Sequence, residues 1–119
     1  MKIAVSATGK DLEAEVDPRF GRARHIVIVD SQTLSFEIID NSQNLNALKG
    51  AGIQTASAVA GSGAEVLLTG HCGPNAFKVL KAAGILVANN AMGTVREAVA
   101  SYLAGKLPVA DEPDVEGQW

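Results

Sequence analysis

Residues 25–40 read HIVIVDSQTLSFEIID, and their reading decides the fold. Two β-branched apolar runs, HIVIVD and LSFEIID, are separated by Ser31-Gln32-Thr33 alone. A short polar link between two such runs favours antiparallel pairing, so the segment predicts a hairpin. Upstream, KIAVSA is another short apolar run, ended by Thr8-Gly9, and reads as a buried strand. The polar stretch between them, with Pro18 and Gly21, reads as a long loop. Three strands therefore come first, with no helix among them.

After Asn46 the period changes. ALKGAGIQTASAVAGSG spaces Leu48, Ile53, Ala56, Val59 and Ala60 on a helical face. AEVLLTG is a continuous apolar run bounded by glycines, as in a strand buried on both faces. PNAFKVLKAAG puts Phe77, Leu80 and Ala83 on one side of a helix, with Lys78 and Lys81 outward. ILVANN is again a strand. GTVREAVASYLAG is the clearest helix, with Thr94 and Glu97 spaced as a capping box and Gly105 as its stop. Val95, Ala98, Val99, Tyr102 and Leu103 should line its inner face.

The predicted order is β-β-β-α-β-α-β-α. Right-handed crossovers make strands one, four and five parallel, and the hairpin adds an antiparallel flank. That is a mixed α/β sheet of ribonuclease H-like order. One α/β domain is expected over residues 1–107, followed by an acidic, proline-broken tail over residues 108–119 that ends at Trp119.

Composition limits the function classes. With 47% hydrophobic and 19% charged residues, the 119-residue chain is that of a folded domain, and 4% aromatics leave a core of Val, Ile, Leu and Ala. A net charge of -3 gives no overall field for a polyanion, which argues against nucleic acid. Arg19, Arg22, Arg24 and His25 form a local basic cluster. The single cysteine forms no internal disulfide, and no run approaches the roughly 20 apolar residues that span a bilayer. A cytoplasmic protein with no membrane partner is expected.

In open α/β sheets, ligands settle beyond the carboxyl ends of the parallel strands. Those ends are Ser6-Ala7-Thr8, His71-Cys72-Gly73 and Asn89-Asn90, followed by Met92-Gly93, and the loop VDPRFGRA leaves the same edge. Helix N-termini at this rim favour anions, and one of them would favour the thiolate of Cys72. His71 adds a nitrogen ligand, Gly73 allows close approach, Asn75 donates hydrogen bonds, and Arg19 and Arg22 bring charge. The expected site is cationic, soft and small, with Cys72 and His71 as metal ligands.

Several chemistries are excluded by residue type. A two-metal nuclease needs carboxylates on the first strand, and KIAVSATG has none. A structural zinc site needs about four ligands, and an iron–sulfur cluster held in the usual way about four cysteines. No Walker or GxGxxG loop is present. A preassembled metal–sulfide cluster fits better, because it is anionic and brings most of its own ligands. Soft thiolates suit such sulfide-rich centres. A metal-free regulatory or protein-interaction module is the alternative, and an enzyme is not expected.

The opening KIAVSATG, the loop VDPRFGRARHIVIVD, the turn TGHCGPNAFKVLKAAGI and TVREAVASYLAGKL carry a resemblance to a known family. In that order they resemble the nitrogenase iron–molybdenum cofactor biosynthesis family, and the likeness runs to about Leu107. The resemblance implies a ribonuclease H-like fold and non-catalytic binding of a metal–sulfur cluster, of Mo–Cu sulfide or iron–molybdenum type. It also implies cofactor-assembly or acceptor proteins as partners. Some family carriers have a histidine ahead of Phe-Gly in the first loop, and here that position is Arg19, in front of Phe20-Gly21. An arginine neutralises a thiomolybdate-like anion but does not coordinate as imidazole does, which shifts the expected inner-shell role to Cys72.

Overall fold

The structure, a computed structural model, describes residues 1–41 and 51–110. The elements are β1 (Lys2–Ala7), a 3-10 turn (Phe20–Arg22), β2 (His25–Asp30), β3 (Phe36–Asp40), α1 (Ala51–Gly61), β4 (Val66–Leu68), α2 (Pro74–Ala82), β5 (Leu86–Ala88) and α3 (Val95–Leu103). The five strands form one open sheet in the order β3-β2-β1-β4-β5. β1 runs antiparallel to β2 and parallel to β4, β5 runs parallel to β4, and β3 closes the flank antiparallel to β2. The segment 25–40 is thus a hairpin, with its turn extending further than the sequence suggests. Leu34 takes a left-handed φ of 61° and belongs to the turn rather than to β3.

Period-two alternation divides the core between the two faces of the sheet. Ala4, Ile26, Ile28, Leu67 and Val87 face α1 and α2, where Val59, Phe77 and Leu80 meet them. Ile3, Val5, Ala7, Val27, Val29, Val66, Leu68 and Ala88 face the other way, toward Val95, Ala98 and Val99 of α3 and toward Leu12 and Val16 of the first loop. Central strands packed on both sides explain why KIAVSA and VLL are apolar almost without a break.

Three side chains expected on inner helix faces lie elsewhere. Ile53 is 41% and Leu103 53% exposed, because both sit near helix ends where the packed stripe has turned away from the sheet. Ala83 is exposed, since α2 ends at Ala82. Leu48 falls outside the described residues, as does the tail from residue 111 with Trp119. The chain does not leave the fold at Pro108. Val109 bridges Ala88, and the Ala110 amide donates to the Val87 carbonyl at 2.8 Å, which covers part of the open edge of β5.

Candidate functional site at the strand ends

The carboxyl ends of β1, β4 and β5 and the first loop are stitched together by backbone hydrogen bonds. The Asp17 amide donates to Ser6 O at 2.8 Å, and the His71 amide to Pro18 O at 2.7 Å. Phe20 N returns a bond to His71 O at 3.2 Å, so Arg19 and His71 form a short parallel bridge beside β4. On the far side, Asn90 N donates to Gly70 O at 2.9 Å and Ala91 N to Thr69 O at 3.0 Å. Val16 N closes the ring on Gly93 O at 2.9 Å. Segments far apart in sequence therefore meet at one rim.

Local chemistry explains why the loop sits there. Asp17 Oδ1 accepts from Arg19 N at 3.0 Å, a turn typical of Asp, and buried Phe20 anchors the 3-10 turn in the core. Gly70 permits the approach: a Cβ there would lie 2.5 Å from Pro18 Cα and 2.6 Å from Pro18 O.

The two helix starts at the rim differ. α3 is satisfied from within: Thr94 Oγ1 accepts from Glu97 N at 3.1 Å, and Thr94 N donates to Glu97 Oε1 at 2.9 Å. Its next amides, Val95 and Arg96, donate to Ala14 O and Leu12 O at 2.8 and 2.9 Å. α2 has no such closure. Gly73 offers no side-chain cap, Pro74 has no N–H, and the Asn75 and Ala76 amides have no acceptor among the described residues. Of the two, only α2 presents open donors and the positive end of its dipole.

The expected site residues are brought to this rim to different degrees. Arg19, Asn75 and Asn90 are exposed, while Gly21, Arg22 and His71 are half-buried. Gly73, the extended N-cap residue of α2, is buried. Phe20, at 2% exposure, serves the core. Cys72 requires a correction: it is 0% exposed, within the core cluster formed with Ala4, Phe20, Ile26 and Ala76. Its Sγ donates to Gly73 O at 3.7 Å. Residue 72 lies between the Arg19–His71 bridge and the start of α2 with its side chain in that cluster, so the thiol is not at the mouth of the site. Among the described residues no three His, Cys, Asp or Glu side chains gather as a metal-ligand group. His25 also leaves the expected basic cluster; it is buried, on the α3 side of the sheet next to Ala7.

Sequence reasoning places Asn89 among many rim residues and misses what sets it apart. It is 7% exposed, and its Oδ1, a hydrogen-bond acceptor, is buried without a partner among the described residues.

The fold and rim define a class of small α/β domains, with one mixed sheet and a strand-end surface built from arginine, histidine and free helix amides. The chain belongs to the family described as dinitrogenase iron-molybdenum cofactor, which it matches over residues 1–105. It is similar to the orange protein of Desulfovibrio gigas, solved in its apo form, with 48% identity, a TM-score of 0.93 and 96% of each chain covered. A NifB-like protein of Thermotoga, of the DUF35 family, shares 33% identity at a TM-score of 0.78 over 91% of each chain. An uncharacterized protein of Methanocaldococcus jannaschii is 32% identical, covering 90% of this chain and 89% of its own.

Proposed function

We propose that the protein binds and carries an anionic metal–sulfur cluster, of molybdenum–copper or iron–molybdenum sulfide type, without catalysing a reaction on it. The sheet order β3-β2-β1-β4-β5 with an antiparallel β2 supports reading the scaffold as ribonuclease H-like, with its ligand edge at the strand ends. One observation carries the functional reading: the uncapped start of α2 follows directly on the Arg19–His71 bridge at the same rim. The donor set suits an anion that arrives with its metals already ligated. Amides and guanidinium groups bind sulfide or oxo ligands through charge-assisted hydrogen bonds, and a buried Cys72 contributes packing rather than a metal bond. Membership of a family named for the iron–molybdenum cofactor supports the same reading, as does kinship to a protein that has an apo form.

Reconstitution tests it. The full chain is incubated with tetrathiomolybdate and copper(I), or with an iron–molybdenum precursor, and then desalted for visible absorption and metal analysis. The expected result is retained metal in the wild type and in Cys72→Ala, with a large loss in the Arg19→Ala/Arg22→Ala double variant. No retention by the wild type, or undiminished retention by the arginine variant, rejects the reading.

A further inference from the structure

β3 is the last strand of the sheet on one side, and among the described residues no strand pairs with its outer edge. The opposite edge differs, since Val109 and Ala110 cover part of β5. The ladder to β2 fixes which groups of β3 point outward. Asp30 N donates to Ser35 O at 2.8 Å and Asn41 N to Arg24 O at 2.9 Å, so both are hydrogen-bonded pairs. Such pairs alternate along an antiparallel ladder, and the register makes Ile28–Glu37 and Ile26–Ile39 hydrogen-bonded too. Phe36 and Ile38 fall between them, with their N–H and C=O groups directed away from β2. Exposed edges are commonly guarded by lysine, proline or a covering segment. The strand FEIID has neither lysine nor proline.

The surroundings of this edge are acidic and apolar. Residues 30–41 contain Asp30, Glu37 and Asp40 and no lysine or arginine. Phe36 is 41% exposed, and Ile38 is half-buried. By alternation both lie on the α3 side of the sheet, while Glu37, opposite Ile28, lies on the α1 side. A shallow pocket of about 210 Å³ adjoins the strand, lined by Lys2, Ile28, Asp30, Ser35, Phe36 and Glu37. Its cation, Lys2, reaches toward the turn after α1, where a Cβ on Gly63 would lie 4.0 Å from Nζ. Asp30 is engaged with the amides of its own turn. The Glu37 side chain has no partner among the described residues, so its carboxylate is the charge left at the pocket for an incoming cation.

We propose that the outer edge of β3 accepts an extended, basic segment of a partner protein as an added strand. Strand addition draws affinity from main-chain bonds and specificity from side-chain pockets. The main-chain bonds go to Phe36 and Ile38. The incoming strand carries a lysine or arginine opposite Glu37, flanked by apolar residues opposite Phe36 and Ile38. A second copy of this chain fits worse, because it would bring its own Glu37 and Asp40 to an acidic edge, and each chain has a net charge of -3. This surface shares no residue with the strand-end rim, so it stands whether or not the rim holds a cluster.

The test titrates the uniformly 15N-labelled full chain with the peptide acetyl-Thr-Val-Lys-Val-Thr-amide and, in parallel, with its Val-Glu-Val counterpart. The lysine peptide should give saturable shifts at the Phe36 and Ile38 amides and slow their hydrogen exchange. The glutamate peptide should bind about tenfold more weakly, as like charges then face each other across the new strand pair. Glu37→Lys, a change at an exposed side chain, should leave the melting temperature unchanged and reverse the preference between the two peptides. Equal affinity for the two peptides, shifts that bypass β3, or no binding of the lysine peptide overturns the proposal. So does protection of the Phe36 and Ile38 amides from exchange in the free protein. Protection that grows with protein concentration gives the edge to a second copy, and protection independent of concentration gives it to another segment of the same chain.

Discussion

A methyl group at position 70 has no room, because the first loop crosses there at backbone distance. The Cβ of an alanine would meet Pro18 Cα at 2.5 Å and Pro18 O at 2.6 Å, and backbone atoms cannot swing aside as a side-chain tip can. Gly70→Ala should cost about 1–3 kcal/mol by overpacking. It should also push the Arg19–His71 bridge apart, since His71 N bonds Pro18 O. Calorimetry and cluster retention should fall together; a variant with unchanged melting temperature would show that the loop is not pinned there. At this scale the sequence was half legible. The glycine and proline marks located the turns, because each follows from local backbone geometry. The placement of Cys72 did not follow, because whether residue 72 points to the rim or the core depends on the path of the chain between β4 and α2. Buried free cysteine is common for the same reason that small apolar residues are, and that general tendency was the available signal.

Elements were more legible where their signals are local. The capping box of α3 needs only Thr94 and Glu97 three residues apart, and both of its bonds form. The hairpin was equally plain, and its turn has a further device that periodicity does not reveal. Asp30 Oδ1 accepts from the Gln32 and Thr33 amides at 2.8 and 3.2 Å. Those two bonds, with smaller help from the N-terminal amine and Lys2, hold its carboxyl below the ordinary value of 3.8. A lowered folded pKa means that the carboxylate stabilises the turn above the unfolded value. That contribution fades as pH falls through the lower folded value. An asparagine side chain at this position would keep an acceptor in the same place and would not titrate. Melting temperatures of wild type and Asp30→Asn, compared from about pH 7 to about pH 2.5, should converge below the ordinary aspartate range. A gap that stays constant across that range would mean that the turn bonds do not depend on charge. The helix faces were less legible: Ile53 and Leu103 fit the spacing but sit near helix ends and are exposed among the described residues.

At the scale of the molecule, the hairpin and the later crossover elements force the parallel strand ends to one edge, and the first loop has nowhere else to pack. That topology follows from strand order, which is why the rim could be anticipated from sequence while the asymmetry of its helix starts could not. α3 is closed by carbonyls from Leu12 and Ala14, a tertiary contact that no local motif encodes. The chain as a whole carries a formal charge of -3, so an anion approaches against the average field and must be held by the local one. In the proposed cluster site that field comes from Arg19, Arg22 and the start of α2, over a few ångströms and within the reach of salt. The Debye length shrinks from about 10 Å at 0.1 M to about 3 Å at 1 M salt, and an exposed charge such as that of Arg19 is screened before a half-buried one. Cluster affinity, measured by absorbance titration, should therefore fall severalfold over that range in the wild type. The slope should flatten in Arg19→Ala/Arg22→Ala, whose remaining grip comes from amide hydrogen bonds. Parallel salt slopes in the wild type and the double arginine variant would remove the electrostatic part of the account and leave the cluster to be held elsewhere on the chain.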